Sequence, residues 1–317
     1  VRIAHRVEET GPAPDGRTLA IGNFDGVHLG HRKIVEAAVA RARAAGEEAT
    51  VITFEPHPIA VLRPDQPRDM LTTFEDKAEQ FRLLGVELVL CLEFTIDFAS
   101  QSPEAFVRNV LVPLKARDVF VGANYRFGRA RKGDAETLEA LGKKLGFAVH
   151  PQSFFSRDGR RVSSSRVRQA LKDGDVAEAK ELLGRPYCLK GQVVAGVARG
   201  RELGFPTANL NIPEELVPAN GVYAARVAVW EPEGEGGGEG EPTAYDASVY
   251  IGTRPTFEAG QRLIEVHLLD TRRELYGHRI RIDFADRVRP EMSFAGADEL
   301  SAQIRRDVER TRLLLAP

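Results

Sequence analysis

The sequence predicts two domains of different class: a parallel α/β sheet covered by helices, followed by an antiparallel barrel or sandwich. Three observations carry this expectation. The 317 residues exceed what one hydrophobic core ordinarily supports. Through the first half, short aliphatic runs alternate with helical patterns, as right-handed crossovers in a sheet covered on both faces require. After Gly184, short strands follow one another between turn residues with no helices between them, the texture of an antiparallel barrel or sandwich. The expected domains are therefore residues 1–184 and 185–317.

In order, Leu19–Gly22 reads as a strand, and "RKIVEAAVARARAAG" has apolar residues at helical spacing that end at Gly46. Thr50–Phe54 is a second, β-branched strand. Thr73 is placed to cap a helix ending at Gly85, ahead of the strand "VELVLCL". "SPEAFVRNVLVPL" supplies a helix, "DVFVG" a strand, "DAETLEALGKKLG" a helix and "FAVH" a strand. From Val162 to Leu183 the pattern is wholly helical. Beyond it, "YCLKGQVVAG", "GVYAARVAVW", "YDASVYIG", "QRLIEVHLLD" and "HRIRIDFADRV" are strands, and "GADELSAQIRRDVERTRLLL" is a closing helix. The segment Arg199–Pro213 is too irregular for a strand and too turn-rich for a helix. Glu231–Pro242 is an acidic, glycine-rich loop with no core-forming residues.

Hydrophobic residues at 43% and charged residues at 28% describe a soluble globular chain. A net charge of −2 shows no basic excess, which argues against nucleic acid as a partner. There is no bilayer-spanning apolar run and no signal-peptide core at the start, so a membrane partner is not expected either. Cys91 and Cys188 lie far apart in or beside apolar runs, as buried free thiols do, and a cytoplasmic location fits. A homo-oligomer is compatible with the sequence and not specified by it.

The stretch "AIGNFDGVHLGH" (Ala20–His31) sets three glycines and two histidines between a strand and a helix. In an open α/β sheet that junction is where ligands bind. Gly22, Gly26 and Gly30 permit tight turns and close backbone approach, and the helix start is a seat for phosphate. His28 and His31 can donate hydrogen bonds to phosphate oxygens whose charge grows during reaction. Two other readings stand beside this one: a helix cap with a packed histidine, and a metal site completed by His57 of "FEPHP". No HExxH or cysteine pattern supports zinc.

"SSSRVR" (Ser163–Arg168) offers hydroxyls and two arginines at a helix start, and "NYRFGRARKGD" mixes aromatics, glycines and four cations. Both suit anions, and both are also commonplace as a helix cap and a surface loop. In the second half, Thr207 and Asn209 of "PTAN" bring oxygens close together, enough for the few protein ligands Mg²⁺ takes on ATP. An Asn/Thr-stabilised turn explains the same residues. Glu265 sits amid apolar residues in a strand, either a base facing a site or an outward carboxylate. No GxxxxGK[ST] occurs, so phosphoryl transfer here does not use a P-loop.

"GNFDGVHLGH", "TFEPHP", "VGANYRFGRARKGD" and "SSSRVR" together resemble the FMN adenylyltransferase module of the bacterial riboflavin kinase/FAD synthetase family. "GRELGFPTANL", "NGVYAARV", "IGTRPTF", "IEVHLLD" and "RPEMSFAGADELSAQI" resemble its riboflavin kinase module. The resemblance implies a Rossmann-like nucleotidyltransferase domain of the HxGH type, then a six-stranded Greek-key barrel with a C-terminal helix. It implies riboflavin, FMN and ATP as substrates, with Mg²⁺ accompanying ATP. ATP and its phosphates are then expected at Gly22, Phe24, Asp25, Gly26, His28, His31, Ser164 and Arg168, and at Gly204, Thr207 and Asn209 in the second domain. Flavin is expected at Asn124 and Phe127 and at Arg289 and Glu291. Thr207 and Asn209 match the Mg²⁺ positions, Glu265 the catalytic base, and His28, His31 and Arg168 the groups that serve the reacting phosphates. Ser165, Ala195 and Tyr250 depart from the family pattern, which more often has threonine, histidine and asparagine there.

Two rivals belong to other classes. A flavin- or nucleotide-sensing protein would bind without turnover, but the joint presence of both residue sets argues against it. A tRNA-linked HxGH enzyme should carry a KMSKS-like loop and a basic RNA-binding surface, and neither is evident.

Overall fold

The computed structural model describes residues 1–194, 205–211, 213–231, 241–253, 262–271 and 273–316. Strand β1 (Arg2–Ala4) precedes β2 (Arg17–Ile21), which is buried at every position. A strand of that kind needs partners on both edges and cover on both faces. Helix α1 (Leu29–Ala45), β3 (Glu48–Glu55), α2 (Pro58–Leu62), α3 (Phe74–Leu83) and β4 (Leu88–Glu93) follow. Next come α4 (Ile96–Ser100), α5 (Pro103–Phe106), β5 (Ala116–Gly122), α6 (Ala135–Leu145) and β6 (Ala148–Gln152). The sheet runs β1-β4-β3-β2-β5-β6, with every pairing parallel. The chain first winds from β2 toward β4 and then returns to β5 on the other side. The switch point therefore lies between β2 and β5, at Gly22 and Gly122.

Alternation along the strands divides the core in two. Leu19, Ile21, Ile52, Leu90 and Val121 face one cluster with Phe106, Leu111 and Leu138. Ala20, Val51, Val89 and Phe120 face a second cluster with Val35, Val39 and Phe81. The expected caps are present: Thr73 Oγ1 accepts from the Asp76 amide at 3.2 Å, and Gly46 ends α1 in the left-handed conformation.

The second unit starts with α7 (Ser164–Asp173) and α8 (Val176–Leu183). Its strands are β9 (Cys188–Val194), β10 (Ala208–Leu210), β11 (Gly221–Trp230), β12 (Thr243–Thr253), β13 (Arg262–Leu268) and β14 (Arg279–Pro290), before the helix Ala297–Leu315. The β7–β8 hairpin (Ser156–Arg157 and Arg160–Arg161) belongs to the first unit. The six later strands close into an antiparallel barrel in the order β10-β13-β12-β11-β14-β9. Ile264, Val266, Val249 and Ile251 point inward, and the terminal helix, called α9 below, covers β11 and β12. Grouping by spatial proximity separates Val1–Ser164 from Ser165–Pro317. Helices α7 and α8 go with the barrel: the Ala219 amide donates to Leu171 O at 2.9 Å, and Arg287 donates to Asp173 O at 3.0 Å.

Several elements differ from expectation. "SPEAFVRNVLVPL" forms one α-helical turn and then a π-helical stretch, Val107–Leu111, that buries Val107, Val110 and Leu111 together. The segment around "PTAN" contains the barrel's sixth strand, β10, too short to show a periodicity. Strand β1 and helices α2 and α4 also escape sequence patterning for lack of length. Cys91 is buried and Cys188 half-buried, and neither forms a disulfide; burial pushes the Cys91 thiol up to about 11.

Arg17, 1% exposed at the base of β2, holds the sheet's amino edge. Its guanidinium bonds Glu48 at 2.7 Å and the carbonyls of Thr10, Gly11 and Leu114 at 3.0, 2.9 and 3.2 Å. Replacing it strands the Gly11 and Leu114 carbonyls, while Arg2 still reaches Glu48 and the Thr10 carbonyl, so Arg17→Met is expected to cost about 2 kcal/mol of stability, read as a lower midpoint in urea unfolding of this chain.

Candidate active sites

In the first unit, the residues after β2 form a tight turn with Phe24, Gly26 and Val27 at positive φ (51°, 85° and 40°). Two non-glycine residues in that region imply a conformation held by its surroundings. The holders are identifiable. Asp25, 2% exposed, accepts from the Leu71 amide at 2.9 Å, and the Gly26 amide donates to Thr72 Oγ1 at 3.1 Å. Thr53 Oγ1 donates to Asn23 O at 3.2 Å, and Ser164 Oγ donates to Asp25 O at 3.0 Å. The Phe24 ring packs in the core, edge-on to His31 and Phe81 at 5.3 and 5.6 Å. Phe24 and Asp25 thus commit their side chains to the protein and shape the turn.

The turn delivers His28 to the N-cap of α1, where its Nδ1 accepts the His31 amide at 3.2 Å. The two imidazoles stack with centroids 3.6 Å apart. Gly30 makes room for this: a Cβ there would stand 3.1 Å from the His28 ring. Helix geometry leaves the first amides of α1 without partners inside the helix, and the dipole adds positive potential. Two imidazoles at such an end form an anion seat. His57 caps α2, its Nδ1 accepting the Ile59 amide at 3.2 Å. Among the described residues, no group of three His, Cys, Asp or Glu side chains could hold a metal ion.

Beside the turn opens a cavity of about 570 Å³, lined in part by Gly22 and Asn23. Its wall is a relay of rings: Phe54 to Phe94 at 6.0 Å, Phe94 to Phe98 at 5.8 Å, Phe98 to Phe106 at 6.1 Å, Phe106 to Phe127 at 5.6 Å. Tyr125 stacks on Phe127 at 5.4 Å, and its phenol is pushed far up by desolvation. Asn124, Arg126 and Arg131 add the polar part of the lining. A loop pinned by the Phe127–Gly133 bridge and the Arg126–Asp134 ion pair (2.7 Å) carries these groups. An aromatic slot with a few polar groups suits a flat heterocycle. Of the expected flavin residues, Asn124 and Phe127 both line it. Phe54, Phe94, Phe98 and Phe106 were not singled out in the sequence, where each reads as core. Arg168 lies half-buried on α7.

The barrel carries the second site on its outer face. Pairing places Asn209 beside Glu265, Glu265 beside Tyr250, Tyr250 beside Val222 and Val222 beside Arg289. These residues form one register row, and alternation turns Glu265 outward between buried Ile264 and Val266. Thr207 lies immediately before β10 and lines a small cavity with Val193, Ala208 and Val266. His267 Nδ1 bonds Pro206 O at 2.9 Å and the His267 ring meets Phe205 edge-on, which fixes the start of β10. Asn209 is 5% exposed. Thr207, Asn209 and Glu265 are oxygen donors suited to a hard cation and a phosphate chain.

At the row's far end, Arg289 grips Asp307 of α9 through contacts of 2.9 and 3.0 Å, which Gln303 supports from the same helix at 2.8 Å. Glu291 follows β14 and accepts from Tyr250 Oη at 2.6 Å. Gly204 and Ala195 lie outside the described residues.

The family model described as FAD synthetase matches residues 11–166, and that described as riboflavin kinase matches residues 183–315. A protein of Escherichia coli K12, named bifunctional riboflavin kinase/FMN adenylyltransferase, is 38% identical over 97% of this chain and 96% of its own. Proteins of the same name from Bacillus subtilis and Listeria monocytogenes are 38% and 39% identical, over 91% and 95% of this chain and 89% and 93% of their own. A crystal structure titled macrolide-efflux protein, from Streptococcus pneumoniae, is 31% identical with a TM-score of 0.86 and covers 98% of both chains. No helix among the described residues here is long and apolar enough to cross a membrane.

Three of the six tyrosines report directly on this packing. Burial raises Tyr125 and Tyr250 far above an ordinary phenol and Tyr223 to about 12. A pKa raised in the folded state favours folding below the unfolded value, about 10 for tyrosine, and the benefit is lost as pH climbs beyond it. Alkaline titration at 295 nm is expected to show these phenols resisting ionisation until the chain unfolds, with the urea midpoint falling above that pH.

Proposed function

The chain belongs to the family of bifunctional riboflavin kinase/FMN adenylyltransferases, and from that premise we propose how its residues divide the two reactions. The enzyme phosphorylates riboflavin to FMN with ATP, and it adenylylates FMN to FAD with release of pyrophosphate. The observation that carries the residue assignment is the barrel's register row, in which Asn209 and Glu265 stand side by side, with Thr207 just ahead of the same strand.

In the kinase reaction, Glu265 accepts the proton of riboflavin's ribityl 5′-hydroxyl as that oxygen attacks the γ-phosphorus of ATP. The bond between the γ-phosphorus and the β–γ bridging oxygen breaks, and ADP leaves. Thr207 and Asn209 hold Mg²⁺ together with the ATP phosphates. The ion supplies charge neutralisation along the phosphate chain. Arg289 and Glu291 complete the reading by bordering the flavin. The grip of Arg289 on Asp307 makes it a fixed wall for that flavin.

In the transferase reaction, a phosphate oxygen of FMN attacks the α-phosphorus of a second ATP. The bond to the α–β bridging oxygen breaks and pyrophosphate departs. The nucleophile is already an anion and needs no base. His28 and His31 donate to phosphate oxygens as charge shifts onto the leaving group, the role the family resemblance also gives Arg168, with Ser164 and the Gly22–Gly26 turn shaping the seat. The isoalloxazine ring lies in the aromatic cavity against Phe127 and Asn124, which is wide enough for it and closes on rings that stack with it. We place the functional boundary at 184/185, supported by the riboflavin kinase match beginning at residue 183. Riboflavin, FMN and ATP are its small-molecule partners, and the cytoplasm, where ATP is plentiful and thiols stay reduced, is its compartment.

Product analysis with riboflavin, ATP and Mg²⁺ tests the division. Glu265→Ala is expected to lower FMN formation by about 10²–10⁴-fold while conversion of supplied FMN to FAD continues. His28→Ala is expected to do the reverse. Surviving riboflavin phosphorylation in Glu265→Ala overturns the base assignment. Adding a chelator is expected to stop both reactions, with Mg²⁺ restoring them.

A further inference from the structure

Tyr250 occupies the register position between the base and the flavin border, directly opposite Glu265 on the neighbouring strand. Its hydroxyl donates to one oxygen of Glu291 at 2.6 Å. Asn220 Nδ2 donates to the other oxygen at 2.9 Å and to Thr253 Oγ1 at 3.2 Å. Glu291 therefore has a donor on each carboxylate oxygen. An ionised carboxylate accepts only, and each of its oxygens keeps a second lone pair for another donor.

The Glu291 side chain is exposed and lies one residue past the end of β14. An unrestrained glutamate there samples many rotamers, and ordering it on binding costs affinity. Asn220 alone fixes one oxygen and leaves rotation about that contact, whereas a second donor on the opposite oxygen sets the plane of the carboxylate. The phenol is well suited to this task. Burial and the charges of Glu291 and Glu265 together keep its proton in place, so it remains a donor throughout the enzyme's working range.

We propose that Tyr250 is a positioning residue for riboflavin in the kinase site, acting by presetting the Glu291 carboxylate to accept a hydrogen bond from a hydroxyl or N–H of the flavin. The inference rests on the reading of Glu291 as part of the flavin border. Tyr250 does not touch the reacting oxygen and takes no proton from it, so its contribution belongs to substrate binding, in the ground state and transition state alike. Loss of such uniform binding raises KM and leaves kcat in place.

Steady-state riboflavin kinase kinetics of the full chain, with Tyr250→Phe, Glu291→Ala and the double variant, test this. Tyr250→Phe keeps the ring and its packing, and a thermal melt checks that each variant is folded. Each single substitution is expected to raise the riboflavin KM about tenfold, as loss of a hydrogen bond to a charged group does, with kcat changed less than about twofold. The double variant is expected to be no worse than Glu291→Ala, because the phenol acts through that carboxylate. Independent, multiplying effects overturn the proposal, as does a fall in kcat with KM unchanged. Should Tyr250→Phe leave KM unmoved while Glu291→Ala raises it, the positioning role fails and the flavin border stands. If Glu291→Ala itself has no effect on KM, both fall.

Discussion

The first site depends on the burial of β2. Paired in parallel with β3 on one edge and β5 on the other, and covered on both faces, this strand has no freedom to shift along the sheet. Its carboxyl end is fixed at the switch point, where connections leave in opposite directions and open a crevice. The Arg17 guanidinium ties the strand's opposite end to two separate backbone segments, Thr10–Gly11 and Leu114. With both ends held, the turn that follows can adopt positive φ at Phe24 and Val27, a conformation an unsupported loop would relax. The stacked imidazoles, the helix start and the aromatic cavity all hang from that turn.

The barrel solves a similar problem differently. No sheet interior anchors its candidate site, because Glu265 and the residues in register with it sit on the outer side of a cylinder whose inside is filled with apolar side chains such as Val249, Ile264 and Phe284. Register does the work. Alternation leaves no choice about which residues of β13 face outward, since a slip by one would exchange Glu265 with Val266 and break the core. The pairing that sets Asn209 against Glu265 and Glu265 against Tyr250 is therefore enforced by apolar side chains that never meet a substrate. Helix α9 completes the arrangement through the bond between Arg289 and Asp307, which are 18 residues apart in the chain.

Much of this was legible before folding, and what was hidden has physical reasons. The limits of α1 and α6 follow from His28, Gly46, Asp134 and Gly146, whose capping chemistry is local. The outward direction of Glu265 follows from period-two alternation. Strand β10 was concealed because three residues show no period and Pro206 just before them signals a turn. The cavity was concealed for a different reason: Phe54, Phe94, Phe98 and Phe106 look like core, and partly are, so their second surface exists only once strands and short helices converge. The His57 ligand option dissolved when that side chain proved to be a local cap. The Tyr250–Glu291 bond joins residues 41 apart, and no motif spacing encodes such a pair.

The shortness of β10 has a thermodynamic side. Among the described residues, every other stave of the barrel is at least seven residues long, whereas β10 pairs through two positions with each neighbour. Closure of a cylinder is cooperative around its circumference, but resistance to local opening follows the number of ladder bonds and the apolar contacts behind them. The seam at β10 is thus the place where amide protons exchange with solvent most readily and where the cylinder parts first under load. Thr207 and Asn209 lie on that seam, so a ligand bridging them to Glu265 acts as a clasp, strengthening the wall of the fold at its thinnest point by the free energy of its own binding.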